Sequence, residues 1–139
     1  MDAGFDVWLG NLRGNEYSLG HDTLDYITDA AEFFDFDITT HSRIDLVTMI
    51  EYIYTRIEGS FDKLAYVGHS MGTAIMFHLA SEKPEYVEQS ISTVIAIAPA
   101  LEITHTTSPL LRAVMPVQNQ LYSVFKFFKQ YSFGVPSLM

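Results

Sequence analysis

The chain has no cysteine among its 139 residues, which excludes disulfides, thiolate nucleophiles and zinc–thiolate sites and fits either redox compartment. Basic residues are scarce: eight Lys plus Arg face seventeen Asp plus Glu, a net charge of -9. Such a surface repels a phosphate backbone, so no nucleic-acid partner is expected. No apolar run reaches the ~18 to 20 residues that cross a bilayer, and Met1-Asp2-Ala3-Gly4 does not begin a signal peptide, so neither a transmembrane segment nor a leader is expected. No His-Glu-x-x-His and no Gly-x-Gly-x-x-Gly is present, so neither a metal nor a dinucleotide is implied, and no cofactor is expected. Asn11, Asn15 and Asn119 open no glycosylation sequon. What the chain does have is a 48% hydrophobic composition, ample for a core.

Acidic residues are also missing from one end. All seventeen lie between Asp2 and Glu102, and beyond them come Arg112, Lys126 and Lys129 among clustered aromatics. This shift sets an expected boundary, with 1–102 as one part and 103–139 as another.

Four of the eight glycines fall in the first twenty residues, where Val7-Trp8-Leu9 reads as a strand running into a turn-rich loop. Leu46, Ile50, Ile53 and Ile57 recur at helical spacing, with Ser42 and Asp45 as a capping box and Gly59 after the last turn; a helix over 42–58 is predicted. Leu64-Ala65-Tyr66-Val67 is a short apolar run that gives way, after Gly68, to Ala74, Ile75, Leu79 and Ala80 at helical spacing. Thr93 to Ala98 is β-branched without polar alternation, as in a strand covered on both faces. Strands near 6–9, 63–67 and 93–98, separated by helices, predict a mostly parallel α/β sheet.

Gly68-His69-Ser70-Met71-Gly72 matches Gly-x-Ser-x-Gly between the second predicted strand and the helix after it, the context of a nucleophile elbow. A serine at the tip of so sharp a turn takes a strained backbone, and small residues two before and two after let strand and helix approach. Ser70 is the candidate nucleophile. The backbone N–H of Met71, at the start of the helix, is the candidate oxyanion donor. His69 is read as structural, His21 and His41 are placed in loops, and His78 lies on the helix after the elbow. Arg13 is read as a hydrogen-bond donor that fixes loops, with direct substrate contact as the alternative. After Ser70, only Glu102 and His105 lie near a strand end as acid and base, and they read more simply as polar residues at a hinge.

Three blocks resemble the acid lipases of gastric and lysosomal type within the α/β-hydrolase superfamily. They are Ala3 to Asn11 followed by Arg13-Gly14-Asn15; Glu32 to Phe36 leading into Asp45-Leu46; and Tyr66 to Thr73. Together with Ala98-Pro99 they span about residues 3–109 in the family's order. Met71 stands where the family often has Gln, a change that leaves the backbone N–H in place.

The resemblance implies a partial α/β-hydrolase fold with the start of a helical lid after residue 102. It also implies a serine hydrolase of lipid carboxylic esters, of the triglyceride or cholesteryl ester class, in a secreted or lysosomal setting. The family's His-Gly oxyanion loop and its triad Asp and His have no counterpart here, so the chain is expected to be a central fragment, inactive alone. A non-catalytic lipid- or partner-binding product is the alternative, and an acyltransferase or thioesterase on the same elbow is a third reading. The aromatic segment 124–133, with Lys126 and Lys129 among its rings, is a candidate lipid interface or, alternatively, lid core.

Overall fold

Asp37, in extended conformation, accepts the Thr40 N–H at 2.9 Å through its Oδ1 and starts a helical run that the sequence pattern placed five residues later. A computed structural model describes residues 3–57, 63–101, 107–117 and 120. The run passes through α2 (Ile38–Thr40), a π-helical stretch (His41–Leu46) and α3 (Val47–Tyr54), after a single-turn α1 (Ala30–Phe33). Ser42 and Asp45 do not cap it. Ser42 is fully buried with its hydroxyl 3.2 Å from His78 Nδ1, and Asp45 is engaged by Arg13 and His41. His41 accordingly lies within the helix and is buried, not in a loop.

β1 (Leu64–His69) leads through Ser70 into α4 (Met71–Glu82). α5 (Pro84–Ser90) takes Pro84 at its first turn, where the missing N–H costs no hydrogen bond, and leads into β2 (Ile91–Ile97). β1 and β2 pair in parallel from Leu64↔Ile91 to His69↔Ile97, with the register shifting between Leu64 and Ala65. Parallel neighbours require a long crossover, which α4 and α5 supply.

Contacts divide the chain into two units. The first, Met1–Arg13 with Phe36–Leu101, holds a core of Leu46, Ile50, Ile75, Met76, Leu79 and Ile91. These come from one face of the π and α3 segments, one face of α4 and the start of β2, so Leu46, Ile50, Ile75 and Leu79 are buried as their helical spacing requires. Polar ties join α3 to α5 and the π-helical stretch to α4: Tyr54 donates to the Ser90 carbonyl at 2.8 Å, Tyr86 donates to Glu51 Oε1 at 2.8 Å, and Arg43 pairs with Glu82.

Two expectations about strands are corrected. Val7-Trp8-Leu9 forms no strand; the segment is held through Trp8, whose ring meets Tyr52 edge-on at 6.1 Å and whose Nε1–H donates to Asp6. An apolar triplet becomes a strand only if another strand pairs with it, and among the described residues none does. β2, read as covered on both faces, is exposed from Ser92 to Ile97, because the described sheet has two strands and, among the described residues, no layer covers β2 beyond its buried first residue, Ile91.

The second unit comprises Gly14–Asp35 and the chain from Glu102 onward. In it Asp25 accepts the N–H groups of Ile27 and Thr28, and Phe33 is buried edge-on against His21, Tyr26 and Phe34. α6 (Pro109–Val114) and a 3₁₀ turn (Met115–Val117) belong to the same unit.

Candidate active site

The elbow is built by sterics before chemistry. Ser70 sits at φ 50° and ψ -114°, a conformation that L residues rarely adopt and that costs on the order of 1–3 kcal/mol. At Gly68 a Cβ would meet the Gly72 backbone at 2.9 Å and the Tyr66 ring at 2.8 Å, so only glycine lets strand and helix come this close. Gly72 is different. A Cβ there would meet only the Tyr66 hydroxyl, at an ordinary 3.6 Å, so the expected need for a small residue holds strictly at the first glycine alone. Tyr66 closes the elbow by donating from its hydroxyl to the Gly72 carbonyl at 2.8 Å, and burial raises its pKa.

The strained turn is held from three directions. The Ser70 N–H donates to the Ile97 carbonyl at 3.0 Å, extending the parallel ladder into the elbow. The Ser70 carbonyl accepts the Thr73 N–H at 3.0 Å and the Thr73 hydroxyl at 2.6 Å. Thr73 Oγ1 in turn accepts the Ala100 N–H at 3.1 Å, just past Ala98, which itself has φ 47°. Thr73 is fully buried. The Gly-x-Ser-x-Gly pattern assigns Thr73 no role; its one sign in the sequence is a hydroxyl residue three places after the elbow serine.

Ser70 and Met71 are both solvent-exposed, and the Ser70 side chain makes no capping bond to α4. Among the described residues no histidine or carboxylate is hydrogen-bonded to Ser70 Oγ. His69 is exposed, on the strand side of the elbow. His78 lies on α4, 3.2 Å from Ser42 and 3.6 Å from Glu82. The candidate acid and base, Glu102 and His105, lie outside the described residues, as does the aromatic segment 124–133. Among the described residues no three His, Asp or Glu side chains converge as a metal site would require, and no helix is long and apolar enough to cross a membrane.

Arg13 has a definite partner. Its Nε donates to Asp45 Oδ1 at 2.7 Å and its backbone N–H to Oδ2 at 3.2 Å, while His41 Nδ1 lies 2.9 Å from Oδ2. The Asp45 side chain is only 9% exposed. Burial alone would raise its pKa, but the hydrogen bonds from Arg13 and His41 and the Arg13 charge outweigh that and hold it below the ordinary carboxylate range. Phe36 packs edge-on against the His41 ring at 5.1 Å. The cluster pins the loop after Leu9 to the π-helical stretch.

Residues 1–135 match the alpha/beta hydrolase fold family. Lipase 1 of Drosophila melanogaster is 40% identical over 121 residues, 86% of this chain and 26% of the relative. Lysosomal acid lipase/cholesteryl ester hydrolase of Homo sapiens is 38% identical over 111 residues, 80% of this chain and 27% of the relative. Gastric triacylglycerol lipase of Rattus norvegicus is 39% identical over 109 residues, 78% and 26% respectively. The chain thus spans about a quarter of the length of the relatives it matches. With the elbow's geometry and these matches together, the chain belongs to the α/β-hydrolase family, in its group of acid lipases of gastric and lysosomal type.

Proposed function

We propose that Ser70 is the nucleophile of a lipid carboxylic ester hydrolase of the triglyceride or cholesteryl ester class. The observation that supports this most directly is the strained backbone of an exposed Ser70 at the tip of a strand–turn–helix elbow. Ser70 Oγ attacks the ester carbonyl and expels the alcohol, leaving an acyl-serine that water then hydrolyses. The Met71 N–H, at the start of the twelve-residue α4, stabilises the oxyanion of each tetrahedral intermediate. The general base and the second oxyanion donor belong to parts of the site outside the described residues.

The names of the relatives support the substrate class and a lysosomal or secreted setting. Composition supports a boundary near residue 102, and the family resemblance makes the part after it the start of a lid, in which the rings and lysines of 124–133 serve either as lid core or as contact with a lipid surface.

Fluorophosphonate adducts on the 139-residue chain, mapped by mass spectrometry, test the assignment. Ser70 is expected to react faster than every other serine, though slowly, and hydrolysis of p-nitrophenyl esters is expected to be almost nil. Without its base a serine protease of another fold, subtilisin, loses about 10⁶-fold in kcat. Labelling spread evenly over the serines would overturn the nucleophile. It would favour a non-catalytic lipid- or partner-binding role, the reading to which the lack of a base at Ser70 Oγ among the described residues otherwise points.

A further inference from the structure

The Ser70 carbonyl and the Met71 N–H belong to one peptide unit. That unit is planar and trans, so the two groups point in opposite directions, and whatever holds the carbonyl aims the N–H. The carbonyl is held by one residue twice, through the Thr73 N–H at 3.0 Å and the Thr73 hydroxyl at 2.6 Å. The direction of the hydroxyl bond follows from its other partner. The Ala100 N–H can only donate, so Thr73 Oγ1 accepts there at 3.1 Å and turns its own hydrogen to the Ser70 carbonyl. Thr73 is fully buried, and water therefore does not compete for these bonds. A carbonyl that accepts a short hydrogen bond in a low-dielectric interior also polarises its amide, making the N–H on the far side a stronger donor.

We propose that Thr73 is a positioning residue for the oxyanion site: its hydroxyl, oriented by the Ala100 N–H, fixes and polarises the Ser70–Met71 peptide so that the Met71 N–H meets the developing oxyanion. This rests on the reading of Ser70 as nucleophile. It extends that site to the turn after β2, since the orienting N–H comes from Ala100, two residues beyond Ala98 with its φ of 47°. Ala100, three residues past the end of β2, thus acts on the elbow at the end of β1 through one buried hydroxyl.

The test uses two variants with opposite structural and chemical effects. Thr73→Val keeps the buried shape and loses both hydroxyl bonds; Thr73→Ser keeps both bonds and loses a buried methyl. Fluorophosphonate labelling of Ser70 is followed by mass spectrometry over a range of reagent concentrations, which separates the limiting rate from the half-saturating concentration. Removal of a whole oxyanion donor costs 10²–10³ in rate, so weakening one is expected to lower the limiting rate about tenfold in Thr73→Val, with half-saturation unchanged. Thr73→Ser is expected to stay within about threefold of the unsubstituted chain although its thermal midpoint is lower. Labelling of Thr73→Val at the unsubstituted rate overturns the role of Thr73. So does a Thr73→Ser rate as low as that of Val, which marks a purely structural residue. Absence of adduct at Ser70 in the unsubstituted chain, with Ser70→Ala as the control, is a different failure: it overturns the nucleophile and this inference with it.

Discussion

The Ser70 N–H donates to the Ile97 carbonyl at 3.0 Å, so the sheet's hydrogen bonding runs one residue past β1 into the strained turn itself. The end of β2 and the elbow are therefore one structural unit, and changes on one side of it are felt on the other. Gly68 stands where that unit is tightest. Gly68→Ala must push the Gly72 backbone away from a 2.9 Å contact, and a loss of about 2–4 kcal/mol is expected, with any Ser70 labelling lost as well. Gly72→Ala meets nothing nearer than 3.6 Å and lies in a helix, where alanine is the better residue, so its stability is expected to change by less than about 1 kcal/mol. Urea midpoints of the two variants, measured side by side, check the asymmetry.

Strain at Ser70 makes a second prediction. Glycine reaches φ 50° without a Cβ clash, whereas alanine keeps the clash. Ser70→Gly is expected to stabilise the chain by up to about 1 kcal/mol relative to Ser70→Ala, net of the greater freedom of glycine in the unfolded state. Equal melting midpoints for the two variants would show that the turn holds no such strain.

How much of this could be read from residues alone depends on how local each feature is. The elbow was legible because its string, the strand before it and the helix after it are contiguous, and their spacing already encodes the turn. The core positions Leu46, Ile50, Ile75 and Leu79 were legible for the same reason, since helical periodicity reports one face. Features that depend on a distant partner were not. Val7-Trp8-Leu9 has strand composition, yet its Trp8 packs on Tyr52, more than forty residues away in sequence. Thr93 to Ile97 are apolar enough to be covered, but their exposure is decided by what lies beside the sheet. Thr73 acts through Ala100, a backbone group that leaves no mark in composition.

The start of the long helical run shows the same limit and is directly testable. Ser42 with Asp45 matches a capping box, and Asp37 with Thr40 matches the same spacing less conspicuously. The structure chooses Asp37. Asp37→Ala is expected to cost about 1 kcal/mol through the lost cap. Ser42→Ala also destabilises, for a different reason: its fully buried hydroxyl pairs with His78 on α4. Amide exchange separates them, because only Asp37→Ala should release the Thr40 N–H.

Asp45 supplies the pH dependence. Burial would raise its pKa, but Arg13 and His41 lower it overall, so the folded-state pKa lies below the unfolded value near 3.9. A depressed carboxylate contributes stability that is fully present above the unfolded pKa and is lost as pH falls through the folded one. Asp45→Asn should therefore cost most at neutral pH, about 1–3 kcal/mol as the charged hydrogen bonds from Arg13 and His41 are lost, and progressively less from about pH 4 downward. Below the folded pKa both chains carry a neutral side chain at position 45, and their midpoints should converge. Urea denaturation of the two proteins at pH 7, 5 and 3 measures this directly. A gap that is the same at pH 3 as at pH 7 would mean that the Arg13–Asp45–His41 cluster holds the loop by shape and not by charge.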